Sequence, residues 1–250
     1  FQGIKSIFQK KQVLNMSIDP NYLSDIESSA IVNGIGYVLL NNSTQQSLTK
    51  EGLANSALLG FGLYSLLGLQ GYLICVSYFI IGSLVTIVKM KEKEEKGIAE
   101  KRGGCRGPEN VWGSAAVAMS CAMMTYIFKD SPELVQMFKV GYVSSLSTKL
   151  CDTCQSEIGK AFGKTTLLLQ NLKPVPPGTE GAISLEGYLA GLLGSIALTS
   201  IAFNLDFINF DNAKLCIVAP LIATTIESYI GATFQDDKKI SNELVNLINT

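Results

Sequence analysis

Residues 72–90 read YLICVSYFIIGSLVTIVKM, with no charged residue before Lys89. Crossing the hydrocarbon core takes about 20 mostly apolar residues in a helix. This stretch is the clearest transmembrane helix in the chain, and it sets the fold class. The composition extends the reading. The 250 residues are 47% hydrophobic and only 16% charged, with a mean hydropathy of +0.28. The apolar residues come in long runs, as in a polytopic membrane protein.

Toward the N-terminus, residues 53–69 form a second apolar segment, and the tight joint Gln70-Gly71 predicts a helical hairpin. Residues 26–40 are shorter and interrupted by Asn33, Gly34 and Gly36, which suits a span packed inside a bundle. Residues 4–15 carry apolar residues near helical spacing with three lysines, as an interfacial helix or arm would. Phe1-Gln2-Gly3 reads as the remnant of a protease-cleavage tag, and no signal or transit peptide is recognisable after it. A bacterial or cyanobacterial membrane, or a mature form, is the expectation.

Toward the C-terminus, residues 111–128, 134–150, 182–205 and 214–234 are further apolar segments. Two long polar stretches interrupt them, 91–110 and 149–187, and a short acidic turn lies at 204–212. The expected fold is an all-α transmembrane helix bundle of about seven spans, or six if the first does not cross. Residues 1–25 would be tag remnant and arm, 26–235 the membrane catalytic domain, and 236–250 a polar tail.

Lys89, Lys91, Lys93, Lys96, Lys101, Arg102 and Arg106 put the first polar loop on the cytoplasmic (or stromal) face by the positive-inside rule. Counting spans onward places the second loop on the same face, where nucleotide is available.

Several classes are excluded early. The net charge of −1 gives no electrostatic footprint for nucleic acid. The chain contains no histidine, which removes His-based triads and most zinc enzymes. Of six cysteines only Cys151 and Cys154 form a CxxC pair, without the second pair or histidines that zinc needs. Cysteines in apolar runs behave as small hydrophobes.

The second polar stretch begins KLCDTCQSEIGKAFGKTT and ends LKPVPPGTEGAISLEG. Acids suit Mg²⁺, lysines suit phosphate, and glycine lets a backbone approach a ligand. Asp152 and Glu157 are five residues apart, so a straight helix would point them roughly 140° apart. Lys160 and Lys164 share a helical face with Glu157.

Glu227 lies within the last apolar segment, where an ionised carboxylate costs about 2.5–3.5 kcal/mol and requires a partner. Mg²⁺ shared with Asp152 or Glu157 is one such partner. Pairing with a lysine or serine is another. Gly159-x-x-x-Gly163-Lys164-Thr165 has one residue too few for a P-loop and follows a helix rather than a strand, so only a small phosphate nest is expected there.

In KRGGCRGPEN, residues 101–110, Arg102, Arg106 and Asn110 stand at the start of a span, where arginine forks and a helix N-terminus both favour phosphate. The run 91–96 reads as topogenic charge alone. Thr179 and Glu180 sit in a rigid Pro/Gly turn suited to a phosphate rim or lid. The residues together predict a phosphate-handling site at a membrane surface.

Four ordered blocks carry a resemblance. They are G-x-A-E-K-R-G-G-x-R running into Asn (97–110), D-T-x-x-S-E-I-G (152–159), V-P-P-G-T-x-G-x-[IV]-S (175–184) and acidic-S-x-x-G-A-x-x-Q (227–235). The chain resembles an integral-membrane family that includes the phytyl-phosphate kinases of vitamin E biosynthesis, from about residue 50 onward. Cys151 stands where Ala or Gly is expected before the central Asp, and Glu227 where Asp is expected. Neither departure removes a carboxylate.

The resemblance implies a membrane prenyl-phosphate kinase: a nucleoside triphosphate (CTP, GTP or ATP) phosphorylates phytyl monophosphate to phytyl diphosphate. It implies Mg²⁺ held by Asp152, Glu157 and Glu227, and phosphates neutralised by Lys101, Arg102, Arg106, Lys160 and Lys164. Implied partners are the bilayer, the prenyl phosphate and the nucleotide. The residue types also fit a CTP-dependent cytidylyltransferase on a lipid phosphate. A transporter would account for Glu227 and the glycine-rich helices.

Overall fold

The computed structural model describes residues 20–41 and 47–234, and they form a bundle of helices. The interfacial helix expected at 4–15 and the polar tail at 236–250 lie outside the described residues, whereas residues 20–25, expected to close the arm, already belong to the first helix. Helix α1 spans Pro20–Asn41 and α2 spans Lys50–Thr86. Then follow a short α3 at Met90–Glu95, a 3-10 turn at Lys101–Gly104, α4 at Pro108–Ile127 and α5 at Pro132–Phe162. A two-stranded antiparallel ribbon, β1 Thr166–Leu168 with β2 Ala182–Ser184, leads into α6 at Leu185–Asn204 and α7 at Phe210–Phe234.

Helix α2 is a hairpin. At Gly68 the backbone leaves helical geometry (φ 66°, ψ −169°), a conformation that needs glycine. Residues 60 and 72 would be about 18 Å apart on a straight helix. Instead the Tyr72 ring comes 3.1 Å from where a Cβ on Gly60 would sit, and the Tyr64 and Tyr72 rings are 5.6 Å apart. The joint therefore falls at Gly68, two residues before the expected Gln70-Gly71. Both ends of the hairpin return to Arg106. Thr49 N–H donates to its carbonyl at 3.0 Å, and its guanidinium lies over Tyr78 and Phe79.

Among the described residues, three helices are long and apolar enough to cross a membrane by length and composition: Lys50–Thr86, Leu185–Asn204 and Phe210–Ala232. Large apolar side chains face outward on all three, as lipid requires. Leu84, Leu193, Leu215 and Ile222 are each more than half exposed.

Helix α5 is the central post. Tyr142, Val143, Leu146 and Leu150 are fully buried, and α2, α4, α6 and α7 all pack on it. The Tyr142 hydroxyl donates to the Gly71 carbonyl at 2.7 Å. Helix α6 lies close against α5 because Gly187, Gly191 and Gly194 face Gln155, Cys151 and Cys154, with no room for a Cβ. Cys151 and Cys154 are thus packing knobs, and all six cysteines are free.

Pro220, inside α7, lacks the N–H that would satisfy the Cys216 carbonyl. Ser147 of α5 and Thr199 of α6 donate to that carbonyl instead, at 3.0 and 3.3 Å. Buried hydroxyls on two neighbours thereby fix the seating of α7.

The second polar stretch is not a loop throughout. Helix α5 continues without a break to Phe162, since nothing before Gly163 stops it. Asp152 and Glu157 are helical residues, on the different faces their spacing predicts.

A polar cleft at one end of the bundle

A cleft of about 770 Å³ opens where the two polar stretches meet. Its walls come mainly from the loop 98–106 with the first turns of α4, the end of α5, the ribbon β1–β2 with its loop, and Glu227-Ser228 of α7, completed by Tyr78 and Thr86 of α2 and Tyr188 of α6. Lys101, Arg102, Arg106, Asn110, Asp152, Glu157, Lys160, Thr179 and Glu227 all line it. Lys164 does not. It follows the helix-ending Gly163 and is exposed outside the cleft.

The cationic loop is built from local contacts. Arg102 takes a left-handed conformation (φ 55°), followed by Gly103 and Gly104 with positive φ. Its guanidinium donates to the Cys105 carbonyl at 3.2 Å, to Asn110 Oδ1 at 3.1 Å, and to Glu109. The hydrogen bond from Arg102 holds the Glu109 carboxyl below its ordinary range and raises Arg102 in turn. Asn110 Oδ1 also accepts from the Gly107 N–H at 3.1 Å, closing the first turn of α4. Arg106 makes no ion pair among the described residues. Its guanidinium rests on aromatic faces, in reach of the cleft.

At the end of α5, Lys149 pairs with Asp152 at 3.0 Å and interacts electrostatically with Glu227. Glu157 is 3% exposed and lies between Lys160, at 3.1 Å, and the Nζ of Lys93. Of the three carboxylates expected to hold a metal, Glu157 is engaged by two lysines. Both Glu157 oxygens accept from ammonium groups. Among the described residues no three His, Cys, Asp or Glu side chains are grouped so as to hold a metal. Asp152 and Glu227 also bring carboxylate oxygens to the cleft lining, from two helices that pack on each other.

The Pro/Gly loop forms a roof. It hangs from the ribbon through Val175 N–H to the Thr166 carbonyl (2.9 Å), and Thr179 Oγ1 donates to the Pro176 carbonyl (2.7 Å). Gly181 (φ 70°) lies on α7, where a Cβ would overlap the Ala232 backbone nitrogen and come 2.6 Å from the Ser228 carbonyl. Gly159 packs against Ser184 and Gly187 and Gly163 against Ser184, so both bring the end of α5 close to the start of α6, and Gly159 also lines the cleft.

Two residues escape assignment from sequence. Lys149 stands three residues before Asp152, a spacing that puts both on one helical face and could have flagged it. Lys93 sits in the run that reads as topogenic, yet it is 1% exposed while Lys91 and Lys96 face solvent.

Residues 34–250 match the integral membrane protein family DUF92. The chain belongs to this family. Within it, the chain is 46% identical over 225 residues to an uncharacterised membrane protein of Synechocystis, covering 89% of this chain and 86% of that one. It is 41% identical over 250 residues to the chloroplastic protein VTE6 of Arabidopsis thaliana, covering 99% of this chain and 74% of VTE6. An uncharacterised membrane protein of Methanocaldococcus jannaschii is 32% identical over 206 residues, covering 81% of each chain. No solved structure matches. The DUF92 chain is therefore an integral membrane protein with chloroplast and cyanobacterial relatives.

Proposed function

We propose that this protein is a membrane prenyl-phosphate kinase that converts phytyl monophosphate and a nucleoside triphosphate to phytyl diphosphate and the nucleoside diphosphate. The observation that carries the reading is the cleft itself. Five cations (Lys101, Arg102, Arg106, Lys149, Lys160) and the acids Asp152 and Glu227 are gathered at one end of an apolar bundle. The four sequence blocks shared with the phytyl-phosphate kinases all contribute to its walls, and the near full-length similarity to VTE6 adds support.

In the reaction a phosphate oxygen of the prenyl monophosphate attacks the γ-phosphorus, and the bond from that phosphorus to the β,γ-bridging oxygen breaks. The nucleophile is already anionic, so no strong base is needed, in keeping with a chain that lacks histidine. What remains is alignment and charge neutralisation. Arg106 would take one phosphate as a flat fork, with Lys101 and Lys160 flanking. The roof at 174–181 would exclude water from the γ-phosphate. Mg²⁺ commonly binds one or two carboxylates together with substrate phosphates, so Asp152 and Glu227 fit it, and when bound it would neutralise phosphate charge. The prenyl tail would lie among the apolar helices, and the cleft would face the cytoplasm or stroma.

The test uses purified protein in detergent with phytyl monophosphate, Mg²⁺ and each nucleoside triphosphate in turn, with products read by mass. Phytyl diphosphate with nucleoside diphosphate is expected, falling at least about a hundredfold in Asp152→Asn and Glu227→Gln. A nucleotidyl-lipid with pyrophosphate would instead make it a cytidylyltransferase. Absence of turnover would leave transport as the reading to test.

A further inference from the structure

Beneath the cleft wall lies a charge arrangement that neither the sequence blocks nor topology explains. Lys93 is 1% exposed. Its Nζ donates to the Thr86 carbonyl at 2.7 Å and to Glu157 Oε2. Glu157 Oε1 accepts from Lys160, whose side chain is 21% exposed and lines the cleft. A topogenic lysine needs only to stay in the aqueous phase, and burying an ammonium group costs several kcal/mol without a close partner. Two ammonium groups around one carboxylate leave one net positive charge, and only Lys160 presents it to the cleft. Without Lys93, Glu157 would simply neutralise Lys160.

We propose that Lys93 is a positioning residue of the phosphate site. It satisfies Glu157 from beneath, so that Lys160 is held in place yet keeps an uncompensated charge for a phosphate oxygen. Glu157 is then the clamp for Lys160, not a metal ligand. This inference rests on reading the cleft as a phosphate site.

Charge arithmetic separates the possibilities. Lys93→Met leaves the trio neutral, whereas Lys93→Met combined with Glu157→Gln restores one net positive charge at Lys160. The probe is inorganic pyrophosphate, bound to the full chain in detergent and followed by calorimetry, with Tm and Mg²⁺ dependence recorded in parallel. Lys93→Met should weaken pyrophosphate binding about tenfold, the worth of a charge-assisted hydrogen bond. Lys93→Arg should stay within about threefold of wild type, because the charge is kept. The double variant has no unpaired buried charge and the amide oxygen introduced by Glu157→Gln can still accept from Lys160, so it should fold and recover to within about threefold, with unchanged Mg²⁺ half-saturation.

A double variant that regains Tm but binds about tenfold more weakly than wild type, or one whose Mg²⁺ half-saturation shifts, overturns the proposal. If Lys93→Met alone does not fold, the comparison of wild type with the double variant decides in the same way. Because pyrophosphate binding is read without turnover, failure of the kinase reading would leave this result interpretable on its own.

Discussion

Arg106 joins the backbone scaffold to the site. Its N–H donates to the Ser47 carbonyl and its carbonyl accepts from Thr49, both at 3.0 Å. Its guanidinium lies 5.9 Å from the ring centre of Tyr78 and 5.7 Å from that of Phe79. An ammonium group can match the charge of this fork but not its planarity or its stacking. Arg106→Lys should therefore weaken nucleoside triphosphate binding by about 1.5–3 kcal/mol while leaving Tm nearly unchanged, as calorimetry and thermal unfolding in detergent would show. A matching fall in Tm would mean that the side chain acts mainly in packing.

At the scale of elements, the roof and α7 meet at backbone contacts. The loop 174–181 has no hydrophobic core of its own. It is placed by the short ribbon and by the direct approach of Gly181 to Ser228 and Ala232 on α7. Gly181→Ala adds both a left-handed strain of about 1–2 kcal/mol and a clash with the α7 backbone. The expected outcome is loss of most transfer activity with the helices intact, together with faster proteolysis within 174–181. Wild-type turnover in this variant would remove the roof from the mechanism. The unbroken run of α5 to Phe162 matters equally, because it sets Asp152 and Glu157 at different angles around one helix.

For the whole molecule, the cleft and the turn at 205–209 lie at opposite ends of α6, whose 20 residues span about 30 Å, the thickness of a hydrocarbon core. Cys105 at the cleft should react with a membrane-impermeant thiol reagent from one side of a sealed vesicle only. A cysteine placed by Asn209→Cys should react only from the other side. Labelling of both from the same side would break the proposed orientation.

Much of this was legible in the linear chain. Long apolar runs determined an all-α membrane bundle, because lipid leaves backbone polar groups no other partner. The loop glycines and arginines, Asp152 and Glu227 were recognisable because charge is rare in such a chain and stands out against it. The hairpin joint was less so, since residues 68–71 hold two glycines and only packing selects Gly68.

The tertiary structure alone decided which charges neutralise one another. Lys93 looks like its neighbours in a topogenic run, and Glu157 looks like Asp152. Pairing across 64 residues separates them, with Lys93 burying its charge against Glu157 and leaving Lys160 for the cleft. Periodicity reports which face a residue occupies within its own helix. It carries no information about what another helix brings to that face, and in a medium of low dielectric that partner determines what a charge can do.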